Sequence, residues 1–348
     1  TTPRTTYDFY PFCGIHRPVV LYSVPQTHIE DVTVVTTIDG STGVVQVRVK
    51  LNAAAGGQGS VELKGGDAVC KADLTFAGSD AIAELRVPNA HLWSDRDPYL
   101  YDLTVSTDTD QYALKVGIRT IAVDRGAILL NGVPVKMNGF GRHEDFPASG
   151  KGLNLPLIVK DYQLMRWTGA NAYRTSHYPY SAEEMQMADR EGFLIIDEIP
   201  AVSLQMGDEA NFPARLRMCL QQIEELIARD KNHPAVVMWC VANEPMHAGI
   251  GIGAGAGVNP ELEARNKPGK QFLETELAHA RKLDPTRLVT IVTVMGGPQD
   301  WMEQCDVVCM NRYWGWYTLG GQLAKARQGL EAELDQVWER WHKPIIVT

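Results

Sequence analysis

Between residues 24 and 119 the apolar positions fall in short runs with strand period. Val32, Val34 and Val35 stand among threonines, and Val44, Val45, Val47 and Val49 lead with polar partners to Leu51. Ala83–Val87 and Tyr99–Thr104 have the same character, and Ala55-Gly56-Gly57 and Asp95–Pro98 punctuate the runs. Enrichment in β-branched and aromatic residues between turn clusters marks half-buried strands, and several at short spacing predict an antiparallel sandwich. Residues 1–23 read as the closing strand of a preceding domain and a linker.

After residue 120 the period changes. Ile158–Trp167 predicts a helix with Leu164 and Met165 on one face, leading into Ala172–Arg174. Ala182–Arg190 predicts another, stopped by Gly192 and followed by Phe193–Asp197. Leu220, Ile223, Leu226 and Ile227 stripe a third helix, which feeds Val236–Cys240. Leu288–Val294, Asp306–Asn311, a helix from about Gly321 to Trp341 and a strand at Ile345 complete the series. Near-continuous apolar strands alternating with amphipathic helices predict a parallel sheet covered by helices. Counting a strand before Asn138 gives seven units, where eight close a (β/α)8 barrel of roughly 250 residues. The expectation is a catalytic-type barrel over 120–348, incomplete by one unit. The start at Thr1 and the stop after the apolar run Pro344–Val347 read as those of a fragment.

Composition narrows the function classes. The chain has 33 Lys+Arg against 42 Asp+Glu, a net charge of −9, and no basic run, which excludes a nucleic-acid binder at the level of the whole surface. No apolar run reaches the ~18 residues of a membrane helix. Six cysteines without a CxxC pair form no disulfide framework, and Cys305 and Cys309 read as core residues. No zinc, EF-hand or phosphate-loop spacing occurs. Gly251-Ile252-Gly253 with Ala256 sits in a Gly/Ala run without a strand-to-helix turn, so it is read as a loop. No metal or cofactor is expected.

In such barrels chemistry collects at the carboxyl ends of the strands. Those ends carry Gly141-Arg142-His143-Glu144-Asp145, Arg174-Thr175-Ser176-His177-Tyr178-Pro179, Asp197-Glu198, Asn243-Glu244-Pro245 and Asn311-Arg312-Tyr313. Converging carboxyl, imidazole, amide and phenol groups suit general acid–base chemistry, because desolvation and like charge raise a carboxyl pKa. A hydrogen-bonding role at the rim suits Asp197-Glu198 as well as chemistry does, and a supporting role suits His177 equally. Glu244, after a buried run and flanked by an amide and a proline, is the strongest candidate for the acid.

Five segments carry a family resemblance: Asn138–Asp145, Gly169–Tyr180, Arg229–Pro234, Trp239–Pro245 and Asn311–Tyr317. Across nearly its whole length the chain resembles glycoside hydrolase family two, and within it the β-glucuronidases. The resemblance implies the last piece of a jelly-roll sugar-binding domain over 1–23, an immunoglobulin-like β-sandwich over 24–119 and a TIM barrel over 120–348. It implies a retaining glycosidase that cleaves β-D-glucuronides. Glu244 matches the family's acid/base and Asn243 the neighbour that binds the sugar 2-hydroxyl. Asp8, His143, Tyr313 and Tyr317 match substrate-binding positions, with Arg174 and His177 behind them. The family nucleophile is a Glu in a context like Ile-Ile-Val-Thr-Glu, which places it one residue past Thr348, and the motif that binds the substrate carboxylate lies further on. The fragment as written is therefore expected to be inactive. The stretch after Met206 is shorter than in relatives with a long active-site loop, and 248–258 looks like an insertion.

Two other readings stand beside this one: a β-galactosidase-like hydrolase of the same family, and a non-catalytic carbohydrate-binding protein if the chain ends at residue 348. The expected partner is a carbohydrate, with neither nucleic acid nor membrane, in a homo-oligomer. The absence of an Asn-x-Ser/Thr sequon favours a bacterial cytoplasm over a glycosylated location.

Overall fold

Alternating burial builds the first pair of layers. In the computed structural model, which describes residues 14–54, 56–247 and 259–348, strands β1 (Ile29–Asp39), β2 (Thr42–Leu51), β3 (Gly57–Gly65), β4 (Ala68–Phe76), β5 (Asp80–Val87), β6 (Tyr101–Thr107) and β7 (Gln111–Val116) form two antiparallel sheets. Their orders are β1-β2-β5 and β4-β3-β6-β7. Ala81, Ala83, Leu85 and Val87 of β5 point inward, while Ile82, Glu84 and Arg86 face out. Val45, Val47, Val61, Leu63, Leu103 and Val105 fill the core between the sheets. Residues 14–25 carry no strand, and Val19–Tyr22 are exposed. The segment expected to close a preceding domain therefore has no strand in its described part.

A ribbon of β8 (Ile121–Asp124), β9 (Ala127–Leu130) and β10 (Val133–Pro134) follows. Next comes a seven-stranded sheet in chain order, parallel throughout: β11 (Gly139–Gly141), β12 (Ala172–Arg174), β13 (Leu194–Glu198), β14 (Val236–Asn243), β15 (Leu288–Thr293), β16 (Val308–Met310) and β17 (Ile345–Val347). Between these strands run α1 (Leu155–Trp167), α2 (Ala182–Glu191), α3 (Phe212–Asp230), α4 (Pro260–Arg265), α5 (Lys267–Leu283) and α6 (Leu323–Trp341). This is a TIM barrel lacking one strand among the described residues. Its edge strands β11 and β17 both line a cavity of about 110 Å³.

Two expectations need correction. The strand before Asn138 belongs to the antiparallel ribbon, and the first barrel strand is β11. Glycine lets that strand approach its neighbour: a Cβ on Gly139 would lie 1.6 Å from the Ala172 carbonyl oxygen. In α1 the buried face is Ile158, Tyr162 and Met165, spaced by four and three, and Leu164 lies off that stripe, half exposed. Other boundaries follow local chemistry. Ser181 caps α2 by accepting the Glu184 N–H, and Gly192 ends it at φ 71°, a left-handed conformation that costs glycine no Cβ clash.

The sandwich docks on the amino-terminal end of the barrel. The indole of fully buried Trp93 donates to the Asp189 carbonyl of α2 (2.8 Å). Lys231 pairs with Asp31 (2.6 Å), and the Asn232 side chain bonds both Val34 N (2.9 Å) and Val32 O (2.7 Å) of β1, in effect adding a partner to that edge. Arg229–Pro234, one of the segments that carries the family resemblance, thus contributes to a domain clamp.

Between α3 and α5 lies fully buried Glu276, whose oxygens make no normal hydrogen bond, with the Cys219 thiol beside them. Burial pushes its carboxyl pKa up to about 8. The folded state therefore retains a proton that the unfolded state releases above about pH 4.3. Stability from this group is complete below that value and is lost as pH rises toward 8, by up to about 1.4 kcal/mol per pH unit. Thermal melts from pH 5 to 8 are expected to show a shallower fall for Glu276→Gln than for the parent protein.

Candidate active site

Strand β14 is buried along its whole length and delivers Asn243 and Glu244 to the barrel mouth. Glu244 has φ 46°, a left-handed conformation that costs a non-glycine residue about 1–2 kcal/mol. Its N–H donates to the Val292 carbonyl of β15 (2.8 Å), and Asn243 N–H donates to Ala201 O (2.9 Å), so flanking backbone holds the strained turn. Such strain concentrates at functional sites.

The half-buried Glu244 carboxylate has two donors on one oxygen: Asn311 Nδ2 at 2.9 Å and the Tyr313 hydroxyl. Both come from the segment that leaves β16. Burial, then the hydrogen bond to Glu244, pushes the Tyr313 phenol pKa up, so it acts as a neutral donor. Asn311 Nδ2 also lies 3.2 Å from Asn243 Oδ1, which accepts Arg174 Nη1 at 3.1 Å as well. Arginine has no acceptor, so this contact fixes which way the Asn243 amide points. Its oxygen is occupied, and its NH2 remains the donor available to a ligand.

Behind Asn243 sits a buried charge cluster. Arg174 Nη1 donates to Glu198 Oε2 (2.6 Å), and His177 Nδ1 lies 2.7 Å from Glu198 Oε1. Burial raises the Glu198 carboxyl, but Arg174, followed by His177, outweighs it and the net pKa is lowered. Facing a carboxylate, Nδ1 of His177 carries the proton. Its 3.2 Å separation from Arg174 Nη1 is then a contact between two donors. The His143 ring meets His177 edge-on at 5.6 Å, and burial, aided by His177, lowers the His143 pKa, which keeps that ring neutral at pH 7. Tyr317 packs on Tyr313 (4.8 Å) and with Trp316 (5.5 Å) forms an exposed aromatic rim.

The structure therefore brings Arg174, His177, Asn243, Glu244 and Tyr313 into one hydrogen-bonded set, with His143 and Tyr317 on its border. Asp8 lies outside the described residues, as does the 248–258 stretch. Other strand-end groups face elsewhere. Arg142 is buried against Glu184, Asp161 (2.7 Å) and the rings of Tyr162, Tyr173 and Tyr180. Glu144 pairs with Arg17, tying the amino-terminal segment to the barrel. Asp197 takes the Thr175 hydroxyl (2.9 Å), and burial with neighbouring Asp230 holds its carboxyl pKa high. Strand alternation separates it from Glu198, so only Glu198 joins the cluster. Asn311 stood among the strand-end groups without a role of its own, and Thr348 was not a candidate. Asn311 links Asn243 to Glu244, and Thr348 Oγ1 donates to Asn311 Oδ1 (2.8 Å). Their signal was position alone, directly after the apolar strands β16 and β17. Among the described residues, no group of three His, Cys, Asp or Glu side chains is placed to hold a metal.

Residues 121–348 match "Glycosyl hydrolases family 2, TIM barrel domain", and residues 27–119 match "Glycosyl hydrolases family 2". The chain is 38% identical to a β-glucuronidase of Rattus norvegicus over 98% of its own length and 51% of the relative's. It is likewise 38% identical to one of Homo sapiens over 99% of its length and 52% of the relative's. The chain thus spans about half the length of the curated relatives it matches. Among solved structures, the β-D-glucuronidase of Dictyoglomus thermophilum superposes with a TM-score of 0.84 at 35% identity, over 97% of this chain and 57% of that one. The Ruminococcus gnavus β-glucuronidase in complex with D-glucuronic acid gives 0.80 at 32%, over 93% and 53%.

Removing one partner from a buried ion pair leaves the other charge uncompensated, at about 3–5 kcal/mol. Glu198→Gln is expected to lower stability by that order in denaturant unfolding, because it strips Arg174 of its carboxylate. A loss below 1 kcal/mol would mean that the cluster is not dry.

Proposed function

Because the chain belongs to glycosyl hydrolase family 2, we propose that the full-length protein hydrolyses β-D-glucuronides with retention, with Glu244 as its proton shuttle. The observation that carries this reading is the Glu244 carboxylate: it stands on a strained turn at the end of β14, with Asn311 and Tyr313 on one oxygen. The glucuronide specificity is supported by relatives named β-glucuronidases and by the D-glucuronic acid complex of one of them.

Retention needs two carboxyl groups about 5–5.5 Å apart across the scissile bond. The second is the nucleophile of the full-length protein, which the family resemblance puts beside the end of β17. Thr348 bonds Asn311, which bonds Glu244, so one amide bridges the two strand ends. In the first step the nucleophile attacks the anomeric carbon while Glu244 gives its proton to the departing glycosidic oxygen, leaving a glycosyl ester. In the second, Glu244 takes a proton from water, whose oxygen displaces the carboxylate from the anomeric carbon. The Asn243 NH2 donates to the sugar 2-hydroxyl, a contact that strengthens in the transition state. Arg174 and Glu198 hold that amide in place and need no contact with the sugar. Tyr313 donates a hydrogen bond to Glu244 between proton transfers.

In the full-length protein, Glu244→Gln is expected to lower kcat by about 10²–10⁴ for glucuronides with alkyl aglycones, whose departure needs a proton. The loss should be much smaller for nitrophenyl aglycones. Equal losses on both would remove Glu244 from the proton-donor role. Parallel assays with nitrophenyl β-glucuronide and β-galactoside test the substrate class, and preference for the galactoside would overturn the glucuronidase reading.

A further inference from the structure

At the other end of the barrel from Glu244, the sandwich and barrel enclose a cleft of about 200 Å³. Three of its lining residues, Arg119, Lys231 and Arg287, are cationic, and none is acidic. Two of the cations already have carboxylates nearby: Lys231 pairs with Asp31 at 2.6 Å and Arg287 with Asp284 at 2.8 Å. Arg119 differs. Only 5% exposed, it has no carboxylate within ion-pair distance among the described residues. Its Nε donates to Pro234 O (3.1 Å) and its Nη2 to Val236 O (2.6 Å), both at the amino end of β14. The Nη1 edge meets no acceptor among the described residues.

A buried cation without an anion is costly, and carbonyl dipoles offset that cost only in part. Burial, with the neighbouring Arg287 second, pushes the Arg119 pKa down to about 9, so the group remains charged at neutral pH. Thr37 and Thr120 also line the cleft and add hydroxyls, which with a guanidinium edge suit an oxygen-rich anion.

We propose that this interdomain cleft is a binding site for a phosphoryl group, either free phosphate or the phosphate of a small monoester, with Arg119 Nη1 and the Thr37 and Thr120 hydroxyls as donors. Such a ligand would supply the missing counter-charge at the seam where the sandwich meets the barrel. The proposal is independent of the glycosidase reading.

Thermal melts of the full-length protein in inorganic phosphate, against sodium chloride at matched ionic strength, test it. A saturable rise in Tm with phosphate alone is expected. Arg119→Gln should abolish that rise. Because Arg119 also satisfies two carbonyls, this variant can fail to fold, so Thr37→Glu is the second probe. Thr37 is exposed on β1 and away from the catalytic end. A carboxylate there should weaken phosphate at least tenfold while nitrophenyl glucuronide turnover stays unchanged. Glycerol 3-phosphate acting at lower concentration than phosphate would assign an esterified ligand, and the reverse order the free anion; either supports the site. No phosphate effect beyond chloride, or a phosphate affinity within twofold of the parent's in Thr37→Glu, would overturn it.

Discussion

The ion pair between Arg174 and Glu198 is the interaction on which the barrel mouth depends. Both side chains are buried, and each is expensive to hold in a dry interior without the other. Once paired they act outward in two directions. Through Nη1, Arg174 fixes the Asn243 amide, and through Oε1, Glu198 fixes His177 and its tautomer. Asn311 carries the order onward to Glu244. Strands β12, β13, β14 and β16 are thereby joined by side chains at the level where their backbone ladders stop.

The opposite end of the barrel solves a different problem. There the strands begin, and their carbonyls need donors where no helix or sheet supplies them. Arg119 and Arg287 both donate to the carbonyl of Val236, and Arg287 also reaches His233 O (2.9 Å). One set of arginines therefore closes the floor of the barrel and anchors the sandwich that covers it. The two ends use one residue type for unlike purposes: above, an arginine matched to a carboxylate; below, one matched to backbone dipoles.

Much of this was legible from the chain. Continuous apolar runs, as in β14, and helices with clear stops, as at Gly192, were found because strong periodicity and left-handed caps are local properties. Strands β3, β4 and β7 were not singled out. Glycines at 57, 59 and 65 dilute the pattern of β3, and β7 is an edge strand with mostly exposed side chains, so period-two alternation is weak in both; β4 alternates along its whole length, and its period went unread. Within the site, Asn243, Glu244 and Tyr313 were recognisable from their place after apolar strands and from the family resemblance. Which way a strand-end residue faces was not readable. Asp197 and Glu198 are neighbours in the chain, yet only Glu198 joins the cluster at the mouth, and Arg142 turns to the helices α1 and α2. Such choices are made by partners distant in sequence. Asn311 was named at its strand end but left without a role for the same reason, since an amide has no distinctive signature until both of its neighbours are in place.

The backbone at Glu244 has an evolutionary corollary. Glycine or asparagine would sit at φ 46° more comfortably than glutamate does, so the chain forgoes some folding free energy to keep a carboxylate there. A laboratory screen that rewarded heat tolerance alone would drift toward those residues at this position. Its winners would be sturdier proteins stripped of the carboxyl group on which the proposed reaction turns.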